Sequence, residues 1–149
     1  MRLRELCLAL PEAHEVIAWG EPTFRVKNKL FAMYAGPHTH HGAGRPGVWV
    51  KAEDGAQEVL IAADPDRFFR PPYVGPSGWV GIQLDAGVDW DDVAELLAVA
   101  WRLTAPARLL RAADLETRPA AASPGATKRT GKKRKPSRAK KKAGATKRK

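Results

Sequence analysis

Apolar positions recur along this chain with two different periods, and the switches between them mark its elements. Leu3, Leu6, Cys7 and Leu10 fall at i, i+3, i+4 and i+7, which predicts an amphipathic helix over residues 2–10. Pro11 stops it, because its ring and missing N–H oppose another turn. From His14 the period shortens to two. Val16 and Trp19 flank a short apolar piece, with Gly20 and Pro22 as punctuation. Phe24, Arg25, Val26 and Lys27 alternate, Asn28-Lys29 offers a tight turn, and Leu30 to Ala35 is apolar, so a hairpin is expected. Residues 36–47 hold four Gly, two Pro and three His and read as a loop, and Val48 to Lys51 forms the next strand.

In the second half, Asp54 is a candidate cap for a short helix, with Gln57 as its capping-box partner and Val59, Leu60 and Ala63 as the apolar side. Pro71, Pro72, Gly75 and Gly78 mark a further loop. Val80, Ile82 and Leu84 then share one face of a strand. Asp89 caps the clearest helix, where Asp91 and Asp92 meet the positive end of the dipole and Arg102 lies near the other end. Its buried face is expected to be Val93, Leu96, Leu97, Ala100 and Trp101. Thr104-Ala105-Pro106 interrupts, and Ala107 to Asp114 makes a last short helix with Leu109 and Leu110. Helices segregated from a run of antiparallel strands predict an α+β, two-layer domain, with a mainly antiparallel sheet packed by helices.

Charge divides the chain. Of its 26 Lys and Arg, fourteen lie between Thr117 and Lys149, a stretch with no Asp or Glu; the remaining twelve face all 16 acidic residues. A mildly acidic body over residues 1–116 is thus joined to a cationic tail over 117–149. The tail lacks apolar residues to bury and repels itself, so it is expected to be disordered without a partner. Its dense positive charge matches the nucleic-acid backbone, where Lys and Arg release condensed counterions without reading sequence. The candidate contacts are Lys128, Arg129, Lys132, Lys133, Arg134, Lys135, Arg138, Lys140, Lys141, Lys142, Lys147, Arg148 and Lys149. No apolar run reaches the roughly 20 residues that span a membrane. The N-terminus, with Glu5 and Glu12, makes a poor signal peptide. A soluble, cytoplasmic protein is expected, nucleoid-associated if the source is bacterial.

Two stretches, WGEPTFRVKNKLFA at 19–32 and RFFRPPYVGPSGWVGIQLD at 67–85, with the helices before and after them, resemble the MmcQ/YjbR family over roughly residues 1–112. The resemblance implies a YjbR-like α+β domain. It also implies DNA binding through a double-wing arrangement of hairpins, with no catalytic residues to carry over. The loop at 36–47 and the lysine-rich, histone-like tail are not part of that pattern.

Within the body, Arg25, Lys27 and Lys29 are expected at a hairpin tip that could meet a DNA groove or backbone, Lys51 following on a later strand; the alternative is ordinary solvated edge protection. Trp49 and Trp79 share the parity opposite Val48, Val50, Val80 and Ile82. Core packing is their expected role, with base stacking or a dimer surface as the alternative if that face is open. Arg67, Phe68, Phe69, Arg70, Pro71, Pro72, Tyr73 and Trp79 form an aromatic–arginine segment that packs or lines a small-molecule pocket. His38, His40 and His41 cluster without a nearby cysteine, and no metal or cofactor is expected. Cys7 reads as a small core residue. Serines occur only at 77, 123 and 137, and no nucleotide-loop, nucleophile-elbow or zincin motif occurs. The reading is a non-enzymatic protein that associates with nucleic acid, DNA favoured over RNA. The alternatives are a ligand- or protein-binding module using residues 67–79, and an RNA- or ribosome-associated factor.

Overall fold

The computed structural model describes residues 1–39, 44–85 and 87–118. His40, His41, every candidate cation from Lys128 to Lys149 and the expectation of disorder in the tail lie outside them. The elements are α1 (Arg2–Leu8), β1 (His14–Ala18), β2 (Glu21–Val26), β3 (Lys29–Ala35), β4 (Gly47–Val50), α2 (Ala56–Ala63), β5 (Phe68–Phe69), a 3-10 turn (Gly75–Ser77), β6 (Val80–Gln83), α3 (Trp90–Thr104) and α4 (Ala107–Thr117). The six strands form one sheet in the order β1-β2-β3-β4-β6-β5, and every pairing is antiparallel. This is the α+β architecture expected from the element order.

One sheet face carries the principal core. Phe24 and Val26 of β2, Phe31 and Ala32 of β3, Val48 and Val50 of β4, and Val80 and Ile82 of β6 pack with Leu3 and Cys7 of α1, Val93, Leu97, Ala100 and Trp101 of α3, and Leu109 of α4. Non-directional burial of these side chains drives the assembly. Two polar bonds orient it. Asp89 accepts from the backbone N–H of Asp91 at 3.0 Å and caps α3, and Trp101 Nε1 donates to Pro11 O at 2.9 Å, tying α3 to the end of α1. Cys7 is fully buried, and burial first, with the Glu15 carboxylate second, pushes its thiol up to about 12. At neutral pH it is a packing group and supplies no thiolate.

Several local expectations are corrected. The β2–β3 turn is Lys27-Asn28, one residue earlier than predicted: Val26 pairs with Lys29, and both turn residues have positive φ, 50° and 62°. That is the mirror-image two-residue turn whose twist suits a hairpin. The pairing shifts register between Phe24 and Arg25, so that Phe31 and Ala32 both point into the principal core. The N-cap of α2 is Gly55, at φ 81°, with no side-chain cap bond. Gln57 is instead buried, and its amide donates to Gly75 O at 2.9 Å and Trp79 O at 2.6 Å, two buried bonds to carbonyls of the 75–79 loop. Leu60 and Ile61 face the core, whereas Val59 and Ala63 are exposed. Leu96 is half-buried, and Thr104 joins the buried side of α3. The last helix continues to Thr117, and β5 was not anticipated.

Candidate functional site

The sheet face turned away from the principal core is apolar as well, and only partly covered. Met33, Ala35, Trp49 and Trp79 form a second buried cluster there, with Leu30, Phe69 and Val74 against it. Period-two alternation puts Trp49 on this face, opposite Met33 on β3 and Gly81 on β6. Phe69 lies over the sheet beside two glycines. A Cβ on Gly47 would sit 3.4 Å from Phe69 Cζ, and one on Gly81 would sit 2.6 Å from Cδ2 and closer still to the ring's outer carbons. Bare backbone at these positions lets an aromatic ring approach the strands.

Beside this cluster opens a cavity of about 370 Å³ lined by Trp19, Leu30, Met33, Trp49, Tyr73, Val74 and Trp79. Trp49 and Trp79 are only 2% and 8% exposed and form its floor, while Trp19 and Tyr73 are 67% and 74% exposed at its mouth. Trp19 sits in a two-residue turn, Trp19-Gly20, closed by the pairing of Ala18 with Glu21, and its φ is 53°. Tyr73 follows the Pro71-Pro72 pair with φ 64°. Side chains rarely adopt this left-handed backbone, and bulky ones least often. Turns thus carry both rings to the mouth, and Trp19-Gly20 has the same mirror-image hairpin geometry as Lys27-Asn28.

The predicted tip is assembled. Lys27 occupies the turn, Lys29 opens β3, and both are exposed; Arg25 is half-buried, donates to Thr23 Oγ1 at 3.3 Å, and stands opposite Leu30 of the cavity. Among the described residues five other arginines pair with carboxylates: Arg4–Glu15, Arg45–Asp85, Arg67–Asp92, Arg102–Asp114 and Arg108–Glu12. The three tip cations have no such partner among the described residues. Lys51 lies apart, in a shallow cleft with Glu53 and residues of α2 and α3.

The aromatic–arginine segment is split between the two faces. Arg67 pairs with Asp92 and sits 5.0 Å from the centre of the Phe68 ring, which enters the principal core. The Arg70 stem lies against Gly75, and Tyr73, Val74 and Trp79 reach the cavity. A second, polar cleft contains Arg45, Asp64, Asp66, Arg67, Gln83 and Asp85. There the Arg45 guanidinium, 2.7 Å from Asp85, holds that carboxyl below its ordinary range. A hydrogen bond from Arg4 does the same to Glu15. Such carboxylates are stabilised as anions and make poor proton donors near neutral pH. Among the described residues no group of three or more His, Cys, Asp or Glu is placed to hold a metal, and no helix is long and apolar enough to cross a membrane.

Leu30 and Trp19 could not be assigned to this site from spacing. The irregularity at Phe31-Ala32 resets the alternation that would have linked Leu30 to Met33, and Trp19 owes its position to a turn. The Trp-Gly pair between two alternating runs was the available signal.

A YjbR family model matches residues 8–103. The fold is similar to the crystal structure of Deinococcus radiodurans protein DR2400, which carries a DUF419 domain, with a TM-score of 0.57 and 22% identity over 68% of this chain and 74% of that one. That likeness is one of fold. No curated protein matches the chain.

Proposed function

The chain belongs to the YjbR family, and on that premise we propose that it is a non-enzymatic protein that associates with nucleic acid, DNA ahead of RNA. One observation carries the reading: fourteen Lys and Arg between Thr117 and Lys149 with no acidic residue among them. Each phosphate neutralised releases condensed counterions, a gain that needs no fold and reads no sequence. The geometry of the body supports the same partner more weakly. Its acidic residues hold five arginines elsewhere on the surface, while Arg25, Lys27 and Lys29 have no carboxylate against them among the described residues. The tip is thus a second, smaller cationic contact on a body whose net charge opposes binding.

The test is duplex binding followed by anisotropy across a salt series. If about eight tail cations engage phosphates together, log K should fall against log salt with a slope of about −7. Ending the chain after Arg118 keeps the whole core and should remove most of the affinity, and Arg25→Ala with Lys27→Ala in the full chain should cost a modest further loss. Equal affinity of the shortened and full chains would overturn the proposal. A second reading is favoured by Tyr73, Val74 and Trp79 meeting in one cavity: a pocket for a small apolar ligand, with the cations only localising the protein.

A further inference from the structure

We infer that the aromatic cavity receives an unpaired base, so that the preferred partner is a single-stranded segment of nucleic acid; this deepens, and rests on, the nucleic-acid reading above. Four of the seven lining side chains are aromatic, and the others are Leu30, Met33 and Val74. Such a wall binds a flat π-face by stacking and apolar contact, and has little with which to read the hydrogen-bonding edge of a base. About 370 Å³ lies within the range of pockets that enclose small planar groups. Exposed aromatic rings around an open apolar cavity are the kind of surface that marks an interaction site.

The surrounding charge chooses among apolar occupants. Arg25 faces Leu30 across the β2–β3 pair, Lys27 and Lys29 follow at the tip, and Arg70 packs its stem on Gly75 in the loop that supplies Tyr73 and Val74. None of these four cations pairs with a carboxylate among the described residues. An uncharged lipid chain or an apolar peptide leaves them idle. A base entering the cavity with its phosphates outside satisfies both surfaces. A duplex offers the same phosphates with its bases already stacked, and entry would first require one to be extruded at an unstacking cost. Single strands are therefore favoured, with little discrimination among bases.

The experiment uses the full chain, at fixed salt, with three probes: an oligothymidylate of about a dozen nucleotides, the same strand with abasic sites, and a duplex. Trp19→Ala with Tyr73→Ala removes the two mouth rings, and Trp19→Phe with Tyr73→Phe restores aromatic surface. The oligothymidylate should bind the native chain about ten- to a hundredfold more tightly than the abasic strand, the range expected for stacking one base. The Ala pair should erase that difference and leave duplex binding within about threefold, and the Phe pair should recover most of it. Equal binding of the two strands overturns the inference while leaving the nucleic-acid reading intact. A preference that survives the Ala pair places the base elsewhere and also overturns it. Competition by thymidine monophosphate as strong as by the strand, at equal nucleotide concentration, would make the occupant a free nucleotide. Absence of binding to all three probes removes both readings together.

Discussion

Gly81→Ala tests the packing that shapes the open face. The new methyl group would sit 2.6 Å from Phe69 Cδ2 and nearer still to the adjoining ring carbons, well inside contact distance, so the ring must move or the strand must shift. Forcing a methyl into a filled site costs about 1–3 kcal/mol. Opposing this, Ala in a strand interior is favoured over Gly by roughly 0.5–1 kcal/mol. A net loss near 2 kcal/mol is expected because the overlap involves several ring atoms, which at about 4 °C per kcal/mol lowers the melting temperature by around 8 °C. With Phe69→Ala already in place the obstruction is gone, and the same Gly81→Ala change should be neutral or slightly stabilising. The coupling in that double-mutant cycle should therefore be about 2 kcal/mol or more. Urea unfolding followed by far-ultraviolet circular dichroism measures all four variants without relying on tryptophans near the perturbation. If Gly81→Ala costs as much without Phe69 as with it, something other than that ring limits the site.

Two further outcomes concern the opposite face and the loop. Leu97→Ala should cost about 2–5 kcal/mol in urea unfolding, and Glu95→Ala on the exposed side of α3 well under 1 kcal/mol, roughly the surface norm; equal losses would mean the helix face is misassigned. Gln57→Leu removes the side-chain donor from Trp79 O and leaves Gly75 O with the Gly78 N–H alone, and should destabilise by roughly 1–3 kcal/mol, with faster amide exchange over residues 75–79. An unchanged unfolding midpoint would show that water takes over those bonds.

Elements whose causes are local could be read directly. The α3 helix carries its own cap in Asp89 and its own apolar spacing, so it stood out. The shared parity of Trp49 and Trp79 correctly set them on the face opposite the valines, because alternation survives through β4 and β6. What failed depended on distant partners. β5 is two residues long and exists through pairing with β6, which no period in its own sequence announces. Gln57 looked like a capping residue and is instead held by carbonyls 18 and 22 positions away. The turn slipped by one residue because Lys27 accepts a positive φ that local preference assigns to Asn or Gly. The cavity combines these cases: its floor was legible, and its mouth depends on two turns with left-handed backbone.

Alternation along β4 and β6 has an evolutionary consequence. Val48 and Val50 answer to the helices, while Trp49 between them answers to whatever meets the other side; Val80 and Ile82 flank Gly81 in the same way. Immediate neighbours in the chain thus serve separate masters, and point substitutions can remodel the outer surface while the scaffold beneath keeps its integrity. Insertions and deletions have no such freedom. Adding or removing one residue within either strand would exchange the two sets and present valines to the outside and tryptophan to the helices. Descendants of this domain can diversify by replacement along these strands and must take their changes of length in the connecting loops.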